Sequence, residues 1–176
     1  MGATTFMTGR NGLPTLLKEG PYLKLIEPVK EIIDSGAYRF TSLSRLEGWQ
    51  RIMGLSFESL VVNNYAEILP YLHLGGALVT SAAPYQKRGR RGAAGTGFQI
   101  DLLVQTEGAI CVVECKRKRV IDKEVIQEVD RKVRKIARPD GVSIRTALVY
   151  DGELSAFVET NRYFDALIPL KSVIGL

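Results

Sequence analysis

The sequence predicts an α/β domain, a central mixed sheet flanked by helices in the order α-β-β-β-α-β, preceded by a small helical N-terminal segment. Three observations predict it. Residues 97–116, GFQIDLLVQTEGAICVVECK, alternate apolar and polar positions on both sides of Thr106-Glu107-Gly108, the pattern of two strands joined by a tight turn. Stretches before and after that hairpin, 43–69 and 122–137, carry apolar residues at helical spacing. A further run rich in β-formers, SIRTALVY at 143–150, follows the second helix. The chain has 176 residues, the length of one domain with or without a small appendage, and can bury a sizeable core.

In chain order, the segment 1–45 reads as two short helices, one beginning near Pro14 and one running from Pro28 to a stop at Gly36. It suits a linker or a winged-helix remnant, with a boundary near 40–46 and the main domain at 46–176. Within 43–69, Trp49, Ile52, Met53, Phe57, Leu60, Val61, Tyr65 and Ile68 define a long amphipathic helix with Gly54 as a point of interruption. Glu58 stands at the border of its apolar stripe. Residues 75–83 are expected as the first core strand, bounded by glycines and by Pro84, and 86–97 (QKRGRRGAAGTG) as a mobile basic connection. In the second helix, 122–137, Asp122 is the N-cap candidate. Val125, Ile126, Val129, Val133 and Ile136 face the sheet there, while Arg131, Lys132, Arg134 and Lys135 face outward. After the 143–150 strand, Asp151-Gly152 signals a turn and 154–158 a following extended segment. Residues 163–176 finish the core as a short strand or helix.

The hairpin carries the chemistry. With a two-residue turn at Glu107-Gly108, Thr106 faces Ala109 and Asp101 falls opposite Glu114. Cross-strand partners share a face, with Cβ atoms roughly 4.5–5.5 Å apart. Two carboxylates that close repel each other, so the arrangement suggests a cation between them. Lys116 lies on the same face as Glu114, about 7 Å along the strand, while Val113 and Cys115 point the other way. A three-residue turn would instead pair Asp101 with Val113 and turn the two acids to opposite faces.

The net charge is +5, and the basic residues are clumped at 87–91, 116–119 and 131–135. The first two clumps flank the acidic pair, an arrangement suited to a polyanion such as nucleic acid, although any single run also reads as a solvated face. No run of 18 apolar residues exists, and MGATTFMTGR has no apolar signal core, so the cytoplasm is the expected location. Cys111 and Cys115 sit about 13 Å apart on one strand, too far for a disulfide. The single histidine, His73, is expected at a turn or on the surface rather than as a ligand.

Asp101 on one strand followed by Glu114-Cys115-Lys116 on the next resembles the core of the PD-(D/E)xK nuclease superfamily, over residues 46–152. Gly54-x-x-Phe57-Glu58 is similar to the start of the nuclease-like domain found C-terminal to certain archaeal and bacterial AAA-type ATPases. The resemblance implies a restriction-endonuclease-like fold and metal-dependent hydrolysis of DNA phosphodiesters. By that likeness Asp101 and Glu114 ligate Mg²⁺ or Mn²⁺, with the Cys115 backbone carbonyl and Glu58 as further ligands. Lys116 then positions or deprotonates the attacking water or steadies the transition-state charge. Gln127 resembles a helix glutamine that some members place near the metal. Lys87, Arg88, Arg90, Arg91, Arg117 and Arg119 are the expected backbone contacts to nucleic acid. A second copy of the chain, and an ATPase either separate or encoded upstream, are further candidate partners; a membrane is not. The competing readings are a non-catalytic docking or regulatory domain of an AAA-type ATPase and an unrelated α/β binding protein. The chain has no G-x-x-x-x-G-K-[ST] phosphate loop of its own.

Overall fold

A computed structural model describes residues 30–37, 39, 49–89 and 97–174. The chain divides into two compact units, Met1–Met53 and Gly54–Leu176. In the first, helix α1 (Lys30–Asp34) ends at Gly36, whose φ of +72° is the left-handed conformation expected of a helix stop. The helix expected to begin near Pro14 lies outside the described residues.

The second unit holds a five-stranded mixed sheet with helices on both faces. Helix α2 (Trp49–Asn63), which belongs to this unit from Gly54 onward, runs through Gly54 without a break and ends earlier than its apolar spacing suggests. Asn64 explains the stop: its backbone N–H and its side-chain amide both donate to the Leu60 carbonyl, at 3.1 and 2.8 Å. Two 3-10 turns follow, Tyr65–Glu67 and Leu69–Leu72, and His73 closes them, exposed and left-handed at φ +52°.

The strands are β1 (Ser81–Lys87), β2 (Phe98–Gln105), β3 (Ala109–Ile121), β4 (Ser143–Leu154) and β5 (Ala166–Pro169), and they lie in that order across the sheet. β1 to β3 form an antiparallel meander; β4 pairs parallel with β3 and with β5. Helix α3 (Glu124–Val133) makes the crossover from β3 to β4, and α4 (Ala156–Asn161) that from β4 to β5. A last turn of helix, α5 (Leu170–Val173), follows β5.

Alternation along β3 sends its residues into two separate cores. Leu102, Val104, Cys111, Val113, Cys115, Val149 and Ile168 pack with Phe57 and Val61 of α2 and with Ile68 and Leu72 of the 3-10 turns. Ile100, Leu103, Ile110, Val112 and Leu148 pack with Val125 and Val129 of α3 and Val158 of α4. Each such side chain, fully buried, stabilises the fold by about 1.5–3 kcal/mol. Both cysteines are free, as four-residue spacing on one strand requires, and both are buried.

Five local expectations are corrected. The first strand starts at Ser81 rather than near 75, because Gly75 and Gly76 both take positive φ and turn the chain there. Pro84 does not bound that strand but sits inside it, on the sheet's outer edge, where a residue without an N–H is tolerated. Asp151-Gly152 is no turn: β4 runs through it, and Gly152, at φ +142°, lies so near β3 that a Cβ would come within 1.7 Å of the Lys118 carbonyl oxygen. Residues 156–161 are helical rather than extended, capped by Ser155, whose side chain accepts from the Val158 N–H. Asp122 does not cap α3 with its side chain; its Oδ1 accepts from Lys123 N–H and from Ser155 Oγ, both at 2.8 Å.

Candidate active site

The register of the hairpin decides where the acids go. Leu102 pairs with Val113, Leu103 with Val112, Val104 with Cys111 and Gln105 with Ile110, the two-residue-turn alignment. Thr106 closes the turn: its N–H donates to the Ala109 carbonyl at 2.9 Å, and its Oγ1 accepts from the Ala109 N–H at 3.0 Å.

At the other end of the hairpin the ladder gives out just past Leu102 and Val113. There Asp101 Oδ2 accepts the Cys115 backbone N–H at 2.8 Å, a carboxylate standing in for a strand partner. The edge strand contributes to this. Between the Ala83–Leu103 and Tyr85–Ile100 pairs, Pro84 alone faces both Asp101 and Leu102, so β2 carries a bulge at Asp101. Bulges re-aim the side chains that they carry.

The fork opens on a cleft of about 380 Å³ lined by Leu55 and Glu58 of α2, Gln99 and Asp101 of β2, Glu114 and Lys116 of β3, and Glu128 and Lys132 of α3. Helices from both layers therefore reach it. Glu114, 1% exposed, is held at both oxygens: Lys116 Nζ lies 2.8 Å from Oε1 and Lys132 Nζ 2.6 Å from Oε2. Glu128 completes a ring, its Oε2 3.0 Å from Lys116 and its Oε1 3.1 Å from Lys132. Each lysine thus bridges the same two glutamates.

Burial drives the Asp101, Glu114 and Glu58 carboxyls above their ordinary range. For Asp101 the Cys115 N–H opposes this, and Glu58 adds to it; for Glu114 the nearby Asp101 adds and the two lysines oppose. Glu58 is raised by burial and then by Glu114. Glu128 differs: burial acts against its charge, but hydrogen bonding to Lys116 and the two ammonium charges hold it down at about 2. Burial would lower both lysines, yet Glu114 outweighs it and keeps them protonated. The lining residues hold four carboxyl groups against two ammonium groups, a formal excess of two negative charges.

The donors of that cleft are all hard oxygens, the kind that suit Mg²⁺ or Mn²⁺. Glu58, Asp101 and the backbone carbonyl of Cys115 are the groups that would hold such an ion together with Glu114. Among the described residues, no three His, Cys, Asp or Glu side chains group closely enough to enclose a metal, and lysines occupy both Glu114 oxygens.

Of the residues singled out in the sequence, the fold brings Glu58, Asp101, Glu114 and Lys116 to one cleft. Gln127 is exposed and does not line it; its backbone carbonyl accepts from Arg131 Nε. The residues of α3 that do are Glu128 and Lys132, so Lys132 belongs to the site and not to the outward face expected for it. The signal was present in the helix periodicity. At about 100° per residue, Glu128 and Lys132 stand beside Val125 and Val129, and Gln127 on the far side. Lys87, Arg88 and Arg119 are exposed, Arg117 is paired with Asp151 at 3.0 Å, and Arg90 and Arg91 lie outside the described residues. No helix among the described residues is long and apolar enough to cross a membrane.

No family model matches the chain, and no curated protein matches it.

Proposed function

We propose that this chain is a divalent-metal-dependent nuclease of restriction-endonuclease-like fold that hydrolyses phosphodiester bonds in DNA. The observation that carries the reading is the fork at Asp101 and Glu114, where the lining carboxylates exceed the ammonium groups by two charges, the charge of one divalent ion. The order helix, three antiparallel strands, helix, parallel strand supports the fold assignment.

Asp101, Glu114, Glu58 and the Cys115 carbonyl would hold such an ion, which would supply Lewis-acid chemistry toward a phosphate. The chain's own groups supply the rest. Lys116, anchored between Glu114 and Glu128, presents a protonated amine that orients the water or meets developing negative charge on phosphate oxygens. Asp101 and Glu58 keep the cleft negative enough to select a cation. Lys87, Arg88, Arg117 and Arg119, with Arg90 and Arg91, supply phosphate contacts whose strength falls as salt rises.

Purified protein incubated with Mg²⁺ or Mn²⁺ on single-stranded, duplex, flapped and four-way DNA tests the reading. Cutting that needs the ion, and that Asp101→Ala and Lys116→Ala both abolish, is the expected result. The double engagement of Glu114 by lysines favours a second reading, a docking or regulatory domain working with an ATPase. Salt-sensitive DNA binding without cutting of any substrate selects it.

A further inference from the structure

The ring of ion pairs at the fork contains one cation more than the motif lysine, and what it does follows from where it sits. Resting on the metal-dependent reading above, we propose that Lys132 is a resident counter-ion: it occupies the Glu114 oxygen that a divalent ion takes, and yields it when the ion binds.

Lys132 Nζ lies 2.6 Å from Glu114 Oε2. Glu114 is 1% exposed, so water does little to neutralise it, and a buried carboxylate without a partner is strongly disfavoured. Lys116 covers Oε1 from the same strand and leaves Oε2 to a group from another element. Helix α3 provides it. The ammonium also has a place to retreat: Glu128 Oε1, one helical turn back on α3, is 3.1 Å away. Lys132 and a metal ion cannot share Oε2 at contact distance, since two cations there repel. The ring therefore keeps the fork assembled without metal and sets a threshold that an incoming ion must exceed. The affinity of the site is then determined by α3, the helix that also closes the second core, through a positioning residue outside the Asp101…Glu114-Cys115-Lys116 motif.

Calorimetric titration of Mn²⁺ into the full chain, without DNA, tests this on wild type, Lys132→Met, Lys132→Arg and Arg131→Gln. Arg131 is exposed on the same helix and serves as the control for loss of one positive charge. Lys132→Met is expected to bind Mn²⁺ about tenfold more tightly or better, the scale of removing a like charge at contact range. Lys132→Arg is expected to restore the weaker wild-type binding, and Arg131→Gln to stay within about twofold of it. Lys132→Gln carries the same expectation as Lys132→Met should the latter fail to fold. Binding by Lys132→Met or Lys132→Gln no tighter than by Arg131→Gln overturns the proposal, and if the wild type still cuts DNA with metal, the nuclease reading survives that result. Absence of Mn²⁺ binding in every variant overturns both.

Discussion

The two ends of the β2–β3 hairpin are built on opposite principles. At the turn end the strands are fully paired, and Val104, Cys111, Leu103 and Val112 fill a core on each face. At the far end the strands part, a carboxylate takes a backbone N–H, and charged groups from both helical layers crowd the gap. One end gains stability from apolar burial; the other concentrates charge that burial disfavours. The difference teaches that the paired half anchors the unpaired half, and that the two should respond separately to mutation.

Glu114→Ala should have the largest effect, leaving Lys116 and Lys132 with Glu128 alone. A fall of about 3–5 kcal/mol in unfolding free energy, measured by urea denaturation, is expected together with loss of Mn²⁺ binding. Leu102→Ala, in the paired half, should lower stability by about 2–5 kcal/mol while leaving Mn²⁺ affinity as it was. A matching loss of metal binding there would break the comparison.

A subtler contrast lies in pH. Burial pushes the Cys111 thiol up from 9.0 to about 11, with Arg145 opposing and Asp165 assisting. A thiol raised in the folded state keeps its proton longer than in the unfolded chain. Its stabilisation is thus complete below pH 9.0 and is lost as pH climbs through about 11. Alkaline titration of stability should show a loss of about 3 kcal/mol from this group, and Cys111→Val should reduce the slope. The smallest effect is expected of Thr106→Val at the turn, which removes the acceptor for the Ala109 N–H and costs about 1 kcal/mol with metal affinity unchanged.

Much of this geometry was legible in the sequence because period-two alternation and a two-residue turn fix register without help from the rest of the fold. The register that runs from Gln105 with Ile110 to Leu102 with Val113 followed from Thr106-Glu107-Gly108 alone. What escaped depended on longer-range facts. Glu128 and Lys132 needed the phase of α3 against the sheet, which the helical wheel holds but which a resemblance to a helix glutamine at Gln127 obscured. Pro84 reads as a strand boundary until its place on the sheet's edge makes it part of a bulge. Asp-Gly at 151 and 152 is a strong local turn signal, overridden here because β4 is held parallel to β3 on both sides of it.

Gly152 itself fixes more than a crossing point. No side chain fits between it and the Lys118 carbonyl, so only glycine lets β4 pass the irregularity of β3 between Arg117 and Val120 and resume pairing at Glu153. Lys116, Arg117, Lys118 and Arg119 thereby stand on a backbone paired at both ends, Arg117 with Asp151 and Val120 with Glu153. On the nucleic-acid reading proposed above, a polyanion gripping that stretch would order side chains alone, since the backbone beneath them has already given up its share of freedom.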